Sequence, residues 1–98
     1  MQRVSEKSIQ IKILKYLNSL DGCFARKRMA YPGLKGEPDI TGCLKGLRLE
    51  IEVKGPDGIL PPKQESCIRR WRDCGALAIA VDNLEDVISA IRFAIKEH

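Results

Sequence analysis

The stretch "GEPDITGCLKGLRLEIEVKG", Gly36 to Gly55, alternates apolar and polar residues on either side of Lys45-Gly46. If Lys45 and Gly46 form a two-residue turn, Leu44 faces Leu47, Cys43 faces Arg48, Thr41 faces Glu50 and Asp39 faces Glu52. Side chains alternate along a strand, so the ribbon divides into two faces. One face holds Ile40, Gly42, Leu44, Leu47, Leu49, Ile51 and Val53; the other holds Asp39, Thr41, Cys43, Arg48, Glu50, Glu52 and Lys54. A slip of one residue in either strand would mix the faces. The pattern therefore predicts strands over 39–44 and 47–54.

In this register Asp39 and Glu52 are cross-strand neighbours with Cβ atoms roughly 5 Å apart. Two carboxylates that close repel, or one of them keeps a proton near neutral pH. A hard divalent cation removes the conflict: Mg²⁺ is commonly held by one or two carboxylates, with waters and substrate phosphate oxygens completing its shell. Lys54 follows Glu52 on the same face, where its ammonium can position a water and offset charge growing on phosphorus. Glu50 shares the face as a flanking residue rather than a ligand. The competing reading is a solvated polar face on which Glu52 and Lys54 form a surface ion pair of little energetic consequence.

Outside the hairpin, Ser5 caps a helix running to about Leu20, with Ile9, Ile13, Leu14, Leu17 and Leu20 on one stripe and Val4 placed as a staple against Ile9. Cys23–Met29 reads as a strand and 31–38 as a loop rich in glycine and proline. After "GPDGILPPKQ", a helix spans Pro62–Cys74, opened by Pro62 and ended by Gly75. "ALAIAV", residues 76–81, is a short buried strand. Asp82 or Asn83 then caps a last helix carrying Leu84, Val87, Ile88, Ile91, Ala94 and Ile95. The order is α-β-β-β-α-β-α, an α/β arrangement in one domain over residues 1–98.

With 44% hydrophobic residues in a chain of 98, a modest and mostly aliphatic core is expected, because only five residues are aromatic. A net charge of +4 and a pI near 9.0 suit an anionic partner without specifying one. Cys23, Cys43, Cys67 and Cys74 form no C-x-x-C pair, and His98 is the lone histidine, which argues against structural zinc. Buried free thiols in a reducing cytoplasm are expected. Nothing at the N-terminus resembles a signal peptide, and no apolar run approaches membrane-spanning length. Arg26 and Arg28, with Lys35, are candidates for tracking a phosphate backbone; alternation sends Lys27 to the other face.

Pro38-Asp39 followed by Glu52-Val53-Lys54 on the adjoining strand resembles the PD-(D/E)xK nuclease superfamily. "SEKSIQ" (5–10), "GEPDI" (36–40), "EIEVKG" (50–55), Gln64 after a proline-rich loop, Trp71 and "GALAIAV" (75–81) narrow the match. The pattern, from Glu6 to about Glu85, is similar to the virus-type replication-repair nuclease (VRR-NUC) family. That resemblance implies a restriction-endonuclease-like fold, a central mixed sheet flanked by helices, and metal-dependent phosphodiester cleavage. It implies that Asp39 and Glu52 bind the metal, that Glu6 supports it, that Lys54 serves the attacking water, and that Gln64 approaches the lysine or the phosphate. The bottom-up reading agrees that Glu6 and Gln64 sit on inward stripes of their helices.

The expectation is a Mg²⁺- or Mn²⁺-dependent endonuclease acting on DNA, selective for branched molecules such as four-way junctions. It is expected to work as a homodimer in the cytoplasm, including that of a host cell if the protein is viral. The alternative is a nucleic-acid-binding or assembly module of the same fold without turnover. The intact Asp39, Glu52 and Lys54 set argues against that alternative.

Overall fold

The computed structural model of the chain describes residues 5–29, 33, 36–55 and 58–97. Helix α1 (Glu6–Ser19) begins where its capping signal lies. Ser5 is extended, and its Oγ accepts the Ser8 N–H at 3.1 Å, satisfying one of the helix's orphan donors. Ile9, Ile13 and Leu17 form its buried stripe. The Val4 staple and the Lys35 contact expected from sequence lie outside the described residues.

Strand β1 (Cys23–Lys27) ends at Lys27 and not at Met29, although the Arg28 N–H still reaches the Asp39 carbonyl at 2.6 Å. The hairpin follows as β2 (Ile40–Leu44) and β3 (Leu47–Val53), with Leu44 opposite Leu47, Cys43 opposite Arg48 and Thr41 opposite Glu50. Its register is the one the alternation predicts. Lys45 has φ 46° and Gly46 has φ 88°, so both central residues are left-handed, as a type I′ turn requires. Glycine adopts that conformation freely, whereas Lys45 bears a modest steric cost.

Pro62 opens α2 (Pro62–Asp73), where its missing N–H breaks no helical bond. Strand β4 (Leu77–Val81) and α3 (Leu84–Glu97) complete the order α-β-β-β-α-β-α. Of the two candidate caps for α3, Asn83 acts: its Oδ1 accepts the Asp86 N–H at 2.8 Å. The sheet order is β1-β2-β3-β4, antiparallel except for the parallel β3–β4 pair that α2 bridges as a crossover.

The two sheet faces have different covers. Helices α1 and α3 pack on the face carrying Ile40, Leu49, Ile51 and Val53, and with Ile13, Leu17, Val87 and Ile91 they make an aliphatic core. Helix α2 packs on β4 from the opposite side. The polar face of the hairpin is consequently covered, and Glu50 and Glu52 are 0% and 3% exposed. The solvated-face reading fails on this point. The thiol expectation is also corrected: all four cysteines are free, but Cys43 and Cys74 are exposed while Cys23 and Cys67 are half-buried.

One residue not singled out from sequence secures the sheet's edge. Asn18 of α1 donates from Nδ2 to the Ala25 carbonyl and accepts the Ala25 N–H at Oδ1, both at 2.9 Å. Its amide thus supplies Ala25 with a donor and an acceptor, as a neighbouring strand would.

Candidate active site

Asp39 precedes β2 at a bend, after the buried Pro38. Three contacts fix it. Its N–H donates to Glu52 Oε1 at 3.2 Å, its Oδ2 accepts the Val53 N–H at 3.0 Å, and its carbonyl accepts the Arg28 N–H at 2.6 Å. The hairpin therefore carries its register past the last ladder pair through side chains. The Asp39 and Glu52 carboxyl groups are tied to each other's strands and converge on one side of the sheet.

Burial pushes the Glu52 carboxyl above its ordinary value, and the Asp39 charge pushes it further, with Lys54 opposing both. Lys54 Nζ lies 3.1 Å from Glu52 Oε2. The lysine is held by its backbone, which continues the parallel ladder through an N–H to the Val81 carbonyl at 2.8 Å. Gly58 packs on it so closely that a Cβ there would come within 2.8 Å of the Lys54 Cβ. Lys54, Gly55, Gly58, Ala80 and Asp82 are among the residues lining an open cleft of about 300 Å³ beside the acids.

Glu50 stands on the same face of β3 and has a different environment. Its Oε1 accepts from Arg28 Nη2 at 2.6 Å, and its Oε2 accepts from Thr41 Oγ1 at 2.6 Å and Arg48 Nε at 2.8 Å. That carboxylate is fully partnered. Glu52 has one cation and an acidic neighbour. The chemistry thus separates two glutamates that the sequence separated by hairpin register alone.

Other expected site residues are placed as follows. Glu6 is exposed in the first turn of α1, and its Cγ lies 3.4 Å from where a Cβ on Gly55 would stand, beside the segment that follows Lys54. It does not complete a three-acid group: no cluster of three or more His, Cys, Asp or Glu side chains suited to a metal exists among the described residues. Gln64 sits in the first turn of α2 with a buried Oε1 that lacks a hydrogen-bond partner among the described residues. Buried acceptors are seldom left unpaired. Lys54 pairs with Glu52, so the expected Gln64–Lys54 contact is not formed. Arg26 is exposed on the site face, its guanidinium 5.8 Å from the Phe24 ring centre. Arg28 is engaged by Glu37 and Glu50, which removes it from the phosphate track expected of it.

The residues fit a hard cation. Asp39 and Glu52 supply oxygen donors only, and their mutual repulsion leaves charge that a divalent ion would balance. Two protein carboxylates, with remaining positions left for water and phosphate, is a Mg²⁺-type donor set.

No family model and no curated protein matches the chain. Among solved structures it is similar to a VRR_NUC domain, with TM-score 0.74 and 28% identity over 89% of this chain and 94% of the other. It is also similar to a VRR_NUC domain protein, with TM-score 0.74 and 19% identity over 98% and 92% of the two chains. The second likeness concerns the fold alone; the first, nearly end to end, adds sequence. Together with the hairpin that aligns Asp39, Glu52 and Lys54, these likenesses support the resemblance of the chain to VRR-NUC nuclease-type domains.

Proposed function

We propose that this domain is a Mg²⁺- or Mn²⁺-dependent endonuclease that hydrolyses DNA phosphodiester bonds. The observation that carries this reading is the convergence of Asp39 and Glu52 from adjoining strands, with Lys54 Nζ 3.1 Å from Glu52. Asp39 and Glu52 would hold the cation, which when bound supplies Lewis acidity toward a phosphoryl oxygen and lowers the pKa of water. Lys54 orients the attacking water and offsets negative charge that grows on the phosphate in the transition state. Glu6, beside Gly55, adds negative charge at the rim. Gln64 offers its unpaired Oε1 to Lys54 or to a water once substrate rearranges the pocket.

Branched DNA, such as a four-way junction, is the substrate class we assign, with a homodimer as the acting form. The chain measures 34 × 33 × 21 Å. That length spans about ten base pairs at 3.4 Å each. Two copies about a two-fold axis would place two sites for symmetric cuts in two strands.

The test incubates purified protein with junction and linear duplex DNA in Mg²⁺, Mn²⁺ or EDTA. Junction cleavage that needs metal is expected, with Asp39→Ala and Lys54→Ala abolishing it while DNA binding persists. Tight binding without cleavage by the wild type under either metal would overturn the enzyme reading in favour of a binding module. Equal cutting of linear duplex would overturn only the assigned substrate class.

A further inference from the structure

Around Glu50 the polar contacts close into a ring. Arg28 Nη2 donates to Glu50 Oε1, and Arg28 Nη1 donates to Glu37 Oε2. Glu37 Oε2 also accepts Trp71 Nε1–H from α2 at 3.0 Å. The Arg48 guanidinium lies 4.7 Å from the Trp71 ring centre, and its Nε returns to Glu50 Oε2. The ring links β1, the segment leading into β2, α2 and β3.

Its geometry bears on Asp39. The Arg28 backbone N–H holds the Asp39 carbonyl, while the Arg28 side chain holds Glu37. Between Glu37 and Asp39 lies only Pro38, which is buried and whose φ is fixed near about −65°. Arg28 thus holds the segment before β2 at two points, the Glu37 carboxylate through its side chain and the Asp39 carbonyl through its backbone. We infer that Arg28, braced by Glu37 and Glu50, is a positioning residue that aims the Asp39 carboxylate at the metal. This rests on the metal-dependent reading proposed above. Outer partners of metal ligands, when removed, typically weaken metal affinity or activity about 10–100-fold.

Variants at Arg28 that leave the net charge unchanged separate positioning from simple electrostatics. Deleting a cation beside a divalent-ion site should tighten binding by relieving repulsion, whereas loosening Asp39 should weaken it. Arg28→Lys keeps the charge and loses the fork that serves two carboxylates at once. Mn²⁺ affinity is therefore measured by calorimetry on the full chain for wild type, Arg28→Lys, Glu37→Gln and the double variant Arg28→Met/Glu50→Gln. The double variant removes one charge of each sign and leaves no buried charge of that pair uncompensated. Glu37, which is partly exposed, gives a variant that folds even if a change at Arg28 does not.

The expected result is a Kd for Mn²⁺ raised about 10-fold or more in each folded variant, with a native circular dichroism spectrum. Wild-type binding with every folded variant within about twofold of it would overturn the inference alone and leave the ring a stability element. Tighter binding in Arg28→Met/Glu50→Gln would also overturn it. Failure of the wild type to bind Mn²⁺ would overturn the proposed function and this inference with it.

Discussion

Changing Glu50 to Gln and Glu52 to Gln replaces the same atom at two positions on one face of β3, and the structure predicts opposite results. Glu50 is wholly buried and bonded to Arg28, which is 17% exposed, and to Arg48, which is 49% exposed. Breaking a buried ion pair by neutralising one partner costs about 3–5 kcal/mol, because the other charge is left uncompensated. The Arg48 share is screened by solvent and adds at most about 1 kcal/mol. Arg28 keeps Glu37, so the lower part of the range applies, about 3–4 kcal/mol. For a domain of this size each kcal/mol shifts Tm by about 4–8 °C, which gives a fall of roughly 12–30 °C for Glu50→Gln. Glu52 is different: burial and Asp39 already favour its protonated form, so a neutral amide relieves strain in the metal-free protein. Thermal unfolding by circular dichroism in EDTA should show Glu50→Gln melting far below wild type and Glu52→Gln melting at or above it. Equal losses for both variants would refute the assignment of one glutamate to structure and the other to function.

Three further outcomes follow from the same contacts. With EDTA present, the Glu52 contribution to stability is complete below the ordinary value of 4.5 and is lost as pH rises through its raised folded value. The Tm difference between Glu52→Gln and wild type should therefore grow as pH climbs from 4.5, and a flat difference across a pH series would contradict the shift. Asn18→Ala strips both side-chain bonds from Ala25 and should cost about 1–3 kcal/mol in urea unfolding, with faster exchange of the Ala25 amide; an unchanged exchange rate would count against the edge-capping role. Gly58→Ala forces a methyl to within 2.8 Å of the Lys54 Cβ, and overpacking of this kind costs about 1–3 kcal/mol. Cleavage kinetics should show a lower kcat with little change in junction affinity, and wild-type kcat would show that Lys54 is not held by this contact.

The hairpin was legible in the sequence because two independent signals agreed. Strict alternation fixed the faces, and Lys45-Gly46 lay where a turn with two left-handed residues was needed. Helix limits were legible for a similar reason, since Ser5, Pro62 and Asn83 act through contacts within a few residues. The environment of Glu50 was not legible. Arg28 reaches it across 22 positions and two strand pairings, and Trp71 reaches Glu37 across 34, a contact that depends on where α2 docks. A partial signal existed: Arg28 lies beyond Arg26, which pairs with Thr41, itself opposite Glu50. Extending that register would have put the guanidinium near the acid. Asp39 illustrates another limit. Sequence reads it as the first residue of a strand, whereas its side chain takes the Val53 N–H from a bend outside β2. Backbone alternation cannot anticipate a carboxylate that replaces a strand partner.

The two glutamates show how one sheet face can hold both a brace and a reactive centre. At Glu50 the protein supplies its own cations, and charge is balanced in the folded chain. At Glu52 it supplies one lysine against two acids, and the folded chain answers by raising the affinity of Glu52 for a proton. Such an imbalance is unfavourable for folding and persists only where the neighbouring structure enforces it. Here the enforcement is local: Pro38 is buried, Asp39 is bonded through its N–H, carbonyl and carboxylate, and Lys54 is fixed through the β3–β4 ladder. On the proposed reading, a divalent ion does for Asp39 and Glu52 what Arg28 and Arg48 do for Glu50. The acids can then serve the reaction because the chain has withheld from them the partners it gave their neighbour.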